Sequence, residues 1–390
     1  MSAIIHGDCL EELKKLEDNS VDAVITDPPY GLSNTKPQQV ADVLKAWVTG
    51  DTKVVPAGKG FMGADWDSFV PPPAVWEECM RVLKPGGHMA VFAGARTQDL
   101  MGLSIRLAGF EIRDTLGWIY GSGFPKSHDI GKAINKAAAA TSEAKQWDGW
   151  GTALKPAIEP IILARKPFGG TVANNVLAHG VGGLNIDACR VSHNEPEDHV
   201  KRISAKFSGT AYNGGKIGGE NREKDSLRSP APAGRFPANV LLDEHAAKEM
   251  DEQSGISPSK KARTGRKGGS NPNPMDWDTA HTDQIGHWPG DNGGGASRFF
   301  PVFKYQAKAP KKERPVIERE DGSKIQHNTV KPLALMEWLV SLIVPPGGTV
   351  LDPFAGSGTT LQAALNKGFH PIGIEQDADY IKLIEQRLQP

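Results

Sequence analysis

The chain has 390 residues, 38% of them hydrophobic, and a formal net charge of −1, which suits a soluble globular protein with one large core plus a second module. Its three cysteines, Cys9, Cys79 and Cys189, form no C-x-x-C pair, so neither a disulfide framework nor a zinc or other metal site is expected. No signal-like leader opens it and no run approaches the roughly 20 apolar residues of a membrane span, so the chain reads as cytoplasmic with no membrane partner.

In chain order, Ser2 to His6 reads as a strand, Leu10 to Leu16 as an amphipathic helix, and Val21 to Thr26 as a strand that empties into Asp27-Pro28-Pro29-Tyr30. Pro72 to Val82 predicts a helix stopped by Lys84-Pro85-Gly86-Gly87, followed by a buried strand His88 to Ala93 and a helix Thr97 to Leu107. Strands Glu111 to Ile119 and Ala157 to Ala164 flank an Ala-rich helical piece near Lys132 to Lys145, while residues 33–70 carry no clear assignment. This alternation predicts an α/β fold with a mostly parallel sheet covered on both faces.

From Lys166-Pro167 to about Ser323 the signal changes to Gly/Pro/Asn/Ser clusters separated by short apolar runs, which reads as an irregular insert. Charge is uneven. Residues 1–100 carry nine Lys/Arg against fourteen Asp/Glu, whereas residues 201–270 carry fourteen against eight. A positive segment on a neutral protein fits a phosphate-facing surface, or a solvated loop. Candidate phosphate contacts are Lys201, Arg202, Lys260, Lys261, Arg263, Arg266 and Lys267. Trp147, Trp150, Trp277 and Trp288 are read as core or loop anchors.

The tail returns to α/β character: helix Leu333 to Ile343, strand Thr349 to Leu351, helix Thr359 to Asn366, strand Pro371 to Ile374 and helix Asp377 to Leu388. Between strand and helix lies Asp352-Pro353-Phe354-Ala355-Gly356-Ser357-Gly358, where Gly356 and Gly358 permit a tight turn with exposed backbone N–H groups. Glu375 ends the following strand seventeen residues beyond Gly358, close to the roughly 20 expected of a ribose-binding acid. The absence of Gly-Lys-Ser/Thr argues against a triphosphate-binding loop.

Two prolines make the first motif rigid, presenting Asp27 and Tyr30. An exocyclic amine conjugated with a base is a poor nucleophile. A carboxylate accepting its hydrogen, with a backbone carbonyl of the Pro-Pro turn, draws the nitrogen toward tetrahedral geometry and frees its lone pair. Tyr30 offers a face on which an extruded base can stack.

These residues resemble the amino-methylating DNA methyltransferases that use S-adenosylmethionine. The order along the chain, with tetrad first, insert next and Gly-rich loop last, is similar to their β class. His6-Gly7-Asp8-Cys9 and His327-Asn328-Thr329-Val330-Lys331-Pro332 resemble two further family segments. The resemblance implies a Rossmann-like, doubly wound, circularly permuted methyltransferase fold. Its catalytic part would be residues 1–167, its target-recognition insert 168–324 and its cofactor part 325–390. It implies that Asp27, Pro28, Pro29 and Tyr30 act on a flipped adenine in double-stranded DNA. Asp8, Asp27, His327, Thr329, Lys331, Asp352, Phe354, Gly356, Gly358 and Glu375 would hold the cofactor, with Cys9, Pro353, Ser357 and Gln376 beside them. A homodimer and a bacterial or phage restriction–modification or orphan methylase are compatible with it.

Asp at the first tetrad position favours adenine, because cytosine-N4 enzymes of the class more often place Ser there. The lack of a Pro-Cys dipeptide disfavours cytosine-carbon methylation. Rival readings are a cytosine-N4 methylase, a glutamine methyltransferase, a Rossmann oxidoreductase and a non-catalytic DNA-binding module. The glutamine enzymes typically place Asn before Pro-Pro, and an oxidoreductase leaves Asp27–Tyr30 unexplained.

Overall fold

The structure is a computed structural model. It describes residues 3–33, 35–56, 58, 60, 67–121, 123, 127–138, 145–191, 234–257, 294–303, 314–319, 321–327 and 329–389. Its strands are β1 (Ala3–His6), β2 (Val21–Thr26), β3 (Leu83–Phe92), β4 (Glu111–Ile119), β5 (Ile158–Arg165), β6 (Val240–Asp243), β7 (Val302–Phe303), β8 (Val316–Glu318), β9 (Lys324–Gln326), β10 (Thr349–Asp352) and β11 (His370–Glu375). A nine-stranded sheet runs β1-β11-β10-β2-β3-β5-β4-β6-β7, and β8 pairs with β9 alone. Within the large sheet β5 lies antiparallel to β3 and β4, and the other neighbours are parallel.

Pleating sends alternate residues to opposite faces. Val24, Met89, Val91 and Ile162 join one core beneath helices Pro73–Val82 and Gln98–Leu107. Ala23, Ile25, Ala90, Phe92, Trp118 and Ile161 join the other, under helix Leu333–Ile343. That helix, Leu-Ala-Leu-Met-Glu-Trp-Leu-Val-Ser-Leu-Ile, buries Leu335, Met336, Leu339, Val340, Leu342 and Ile343. Burying each such side chain contributes about 1.5–3 kcal/mol, and Leu339→Ala would cost about 2–5 kcal/mol. Coverage on both faces is what a largely parallel sheet requires.

The seam between β10 and β2 joins the two ends of the chain: Val350 pairs with Ala23 and Leu351 with Val24. Side chains fasten it above and below. At one end the buried Asp22 accepts from Thr349 N at 2.7 Å and from Lys84 Nζ at 2.6 Å. At the other, Thr26 Oγ1 donates to Asp352 Oδ1 at 2.7 Å.

One expectation changes. Lys84-Pro85-Gly86-Gly87 does not separate helix from strand but lies inside β3, as a bulge where the register jumps from Val21↔Leu83 to Ala23↔His88. Gly86 has φ +80, and a Cβ there would come 2.2 Å from Asn175 Nδ2, the atom that donates to Pro85 O and Val181 O. Within 168–324, helix Val172–His179 packs on β3, and β6 and β7 extend the main sheet beside β4. Trp147 and Trp150, read as core or loop anchors, meet edge-to-face at 5.2 Å while substantially exposed, the loop alternative. Trp277 and Trp288 lie outside the described residues, and the unassigned stretch 33–70 contains helix Pro37–Val48.

His88 on β3 is buried, and its Nδ1 has no hydrogen-bond partner among the described residues. Burial, then the charges of Arg165 and Arg113, lowers its pKa to about 4. A base held neutral by the fold stabilises above its unfolded pKa, and that contribution is lost as pH falls from about 6.5 toward 4. Denaturant unfolding at pH 7, 5.5 and 4 is therefore expected to show about 3 kcal/mol of acid sensitivity in the wild type that is missing from His88→Leu. Parallel pH profiles for the two proteins would contradict it.

Candidate active site

Strand β2 is buried along its whole length and delivers Asp27 to the carboxyl edge of the sheet. Pro28 and Pro29 leave the turn with no N–H of their own to satisfy. Beyond them, Tyr30 O accepts from Thr97 Oγ1 at 2.6 Å, and Gly31 N donates to Asp67 Oδ1 at 2.9 Å. Gly31 has φ +65, and a Cβ there would stand 2.7 Å from the Phe69 and Val70 backbone. The turn therefore has one available path.

Both Asp27 oxygens are engaged. Oδ1 accepts from Tyr30 OH at 2.7 Å and Oδ2 from Lys331 Nζ at 2.7 Å, while Lys331 Nζ also lies 3.1 Å from Tyr30 OH and 3.3 Å from Glu159 Oε2. The ammonium sits 4.9 Å from the Phe92 ring centroid and 5.3 Å from that of Tyr30. Taken alone, a lysine before a proline at a helix start would be expected on the surface. Here its side chain is 10% exposed. Burial disfavours the ammonium, but Asp27 and Glu159 outweigh it and hold Lys331 above the usual lysine range. Burial, with the charges of Asp27 and Glu159, pushes the Tyr30 hydroxyl well up, so it stays a donor.

The second motif follows β10. Asp352 is buried and accepts three hydrogen bonds: besides Thr26, from Phe354 N at 3.1 Å and from Thr360 Oγ1 at 2.6 Å. Burial pushes its carboxyl up to about 6 against these three donors. It thereby shapes the loop from beneath. Gly356 and Gly358 take φ +52 and +78, and a Cβ on Gly356 would stand 3.0 Å from His327 Nε2. Arg387 Nε donates to Ser357 O at 2.6 Å, bracing the loop from the last helix.

Glu375, at the end of β11, accepts from Gly356 N at 2.8 Å and Asp377 N at 2.9 Å. Burial raises its pKa, opposed by those two N–H groups. Strand β1 pairs with β11, so Asp8 and Cys9 fall beside Glu375, and His6 Nε2 lies 3.1 Å from Gln376 O. Asp8 caps helix Cys9–Leu13 through Leu10 N and Glu11 N, and the Cys9 thiol is pushed up to about 12 by burial. Opposite, His327 Nδ1 lies 2.7 Å from Thr329 O, its ring meets Tyr380 edge-to-face, and burial lowers its pKa. Phe354 packs toward Trp76 with centroids 6.3 Å apart.

Asp27 through Tyr30, Lys331, Asp352 through Gly358, Glu375, Asp8 and His327 thus meet at one edge of the sheet. Lys201, Arg202, Lys260, Lys261, Arg263, Arg266 and Lys267 lie outside the described residues. Sequence reading missed Thr26, Asp67, Thr97 and Glu159. A carboxylate before the apolar run Pro160–Ala164 of the Ile158–Arg165 strand was the available signal for Glu159. No group of three or more His, Cys, Asp or Glu suited to a metal occurs among the described residues, and no helix there is long and apolar enough to cross a membrane.

Residues 21–386 match the N6/N4 family model described as DNA methylase. The type II methyltransferase M.HindIII of Haemophilus influenzae is 27% identical over 212 residues, covering 47% of this chain and 65% of that protein. The DNA adenine methyltransferase YhdJ of Escherichia coli is 29% identical over 385 residues, covering 99% and 82%. A solved M1.HpyAVI–SAM complex aligns over all of both chains at 16% identity with a TM-score of 0.42, too distant to add to the fold described above. With a family model spanning both motif strands and the segment between them, the chain belongs to the N6/N4 DNA methylases, S-adenosylmethionine-dependent enzymes that methylate an amino group of DNA.

Proposed function

We propose that this protein methylates the exocyclic N6 amine of adenine in double-stranded DNA, with Asp27 as the group that polarises the amine. The observation that carries the reading is the rigid Asp27-Pro28-Pro29-Tyr30 turn lying at the strand end next to the Gly-rich loop, across the β10–β2 seam. Adjacent strand ends at a switch point in strand order are where open α/β sheets bind ligands. Asp in place of Ser at position 27, and YhdJ's being an adenine enzyme, favour adenine over cytosine.

The residues present fit the cofactor. A carboxylate offers about four acceptor positions, and Glu375 gives two to backbone N–H groups, leaving capacity for ribose hydroxyls. Glu375, Phe354, Gly356 and Gly358 would hold S-adenosylmethionine, with Asp8, Cys9, Gln376, His327 and Thr329 around it. Asp352, Pro353 and Ser357 hold the loop in shape. When bound, the cofactor supplies an electrophilic methyl group on sulfonium sulfur. The protein's share is positioning and electrostatics. Asp27 accepts an amine hydrogen so that the nitrogen lone pair turns toward the methyl, Tyr30 stacks the extruded base, and Thr97 keeps the turn from yielding. The basic residues of the insert take the phosphates.

With labelled S-adenosylmethionine and unmethylated genomic DNA, digestion to nucleosides is expected to place label in 6-methyladenine. Asp27→Ala should lower the rate by roughly 10²–10³-fold, the scale of losing one preorganised polar partner. Label confined to 4-methylcytosine would overturn the adenine assignment, and label in protein would overturn the DNA one. Neutralising Lys260, Lys261, Arg263, Arg266 and Lys267 together should weaken DNA binding and flatten the plot of log K against log salt, by about 0.9 in slope for each phosphate no longer neutralised. An unchanged slope would remove that cluster from the interface.

A further inference from the structure

Lys331 is shared between two carboxylates that come from different parts of the sheet. Asp27 reaches it from the turn after β2 and Glu159 from the start of β5, at 2.7 and 3.3 Å. Because β5 runs antiparallel to β3, its first residues lie at the same edge as the last residues of β2 and β3. That reversal brings Glu159 to the site. The three ammonium hydrogens have three acceptors: Asp27 Oδ2, Tyr30 OH and Glu159. Glu159 makes no other ion pair among the described residues, and its side chain is 27% exposed, the most open of the Asp27–Lys331–Glu159 group.

This sharing bears on chemistry. A carboxylate neutralised by a charge-assisted bond from lysine accepts another hydrogen less strongly. Asp27 has to be a strong acceptor at the moment the amine rehybridises, yet the resting site gives one of its oxygens to a buried ammonium. A second carboxylate competing for the same ammonium loosens that claim. It also prevents the cation from being stranded when Asp27 turns to substrate, since an unpaired buried charge is costly.

We propose that Glu159 is a positioning residue for methyl transfer, the counter-ion that takes Lys331 as Asp27 engages the target amine. Glu159 acts through Lys331 and does not touch the reacting atoms. The inference rests on amine transfer with Asp27 as the polarising group, and it holds for either base.

The test is a double-mutant cycle with Glu159→Gln, Lys331→Met and their combination. It is followed by single-turnover methyl transfer, equilibrium binding of DNA and of S-adenosylmethionine, and thermal melting. Glu159→Gln is expected to slow the single-turnover step about tenfold, equivalent to about 1.4 kcal/mol of barrier, while both binding constants stay within about twofold and the melting temperature is unchanged. Glu159→Asp should recover part of the rate. In the Lys331→Met background the Glu159→Gln change should cost under about twofold, because there is no ammonium left to share. Equal losses in both backgrounds, a loss confined to DNA binding, or full activity in Glu159→Gln would each overturn the proposal. Methylation by the wild type decides the amine-transfer reading separately.

Discussion

Everything in the site depends on the seam between β10 and β2. These strands come from residues 349–352 and 21–26, more than three hundred positions apart, yet they carry the two motifs at their ends. Two backbone pairs alone would leave the register weakly specified, and a slip of one residue would turn every side chain to the opposite face. Asp22 and the Thr26–Asp352 bond remove that freedom by fastening opposite ends of the seam. Asp352 does so as a buried acid whose hydrogen bonds reach Thr26 beside Asp27, Phe354 in the loop and Thr360 in the helix beyond. A shift in either loop is therefore felt by the other.

The site keeps buried charge, and the fold supplies partners for it. Lys331 has Asp27 and Glu159, and Arg387 holds the Ser357 carbonyl. Such groups stabilise little relative to an apolar core, since desolvation offsets most of the attraction. Their effect is to fix direction: Tyr30 donates to one oxygen of Asp27 and Lys331 to the other, so the carboxylate has one orientation.

Much of this was legible in the linear sequence where short-range rules apply. The apolar run Val21–Thr26, the Pro-Pro turn and the glycines at 356 and 358 each act on their own backbone, and the strands and helices of the tail fall close to where periodicity places them. Lys84–Gly87 misled because Pro-Gly-Gly signals a break. Here the partner that absorbs the break is Asn175, ninety residues on. The order of β6 and β7 beside β4 was equally hidden, since short strands flanked by loop-like composition carry almost no local signal.

What the sequence determined by itself was the pair of motifs, their order and the chemical types they present, because rigid turns and strand ends follow from residues adjacent in the chain. The tertiary structure alone decided which other side chains reach them. Glu159 gains its partner only because one strand runs against its neighbours. Lys331, at a helix start where exposure is the rule, is buried between Phe92 and Tyr30 because the returning chain lays that helix over the sheet edge where Asp27 follows its strand.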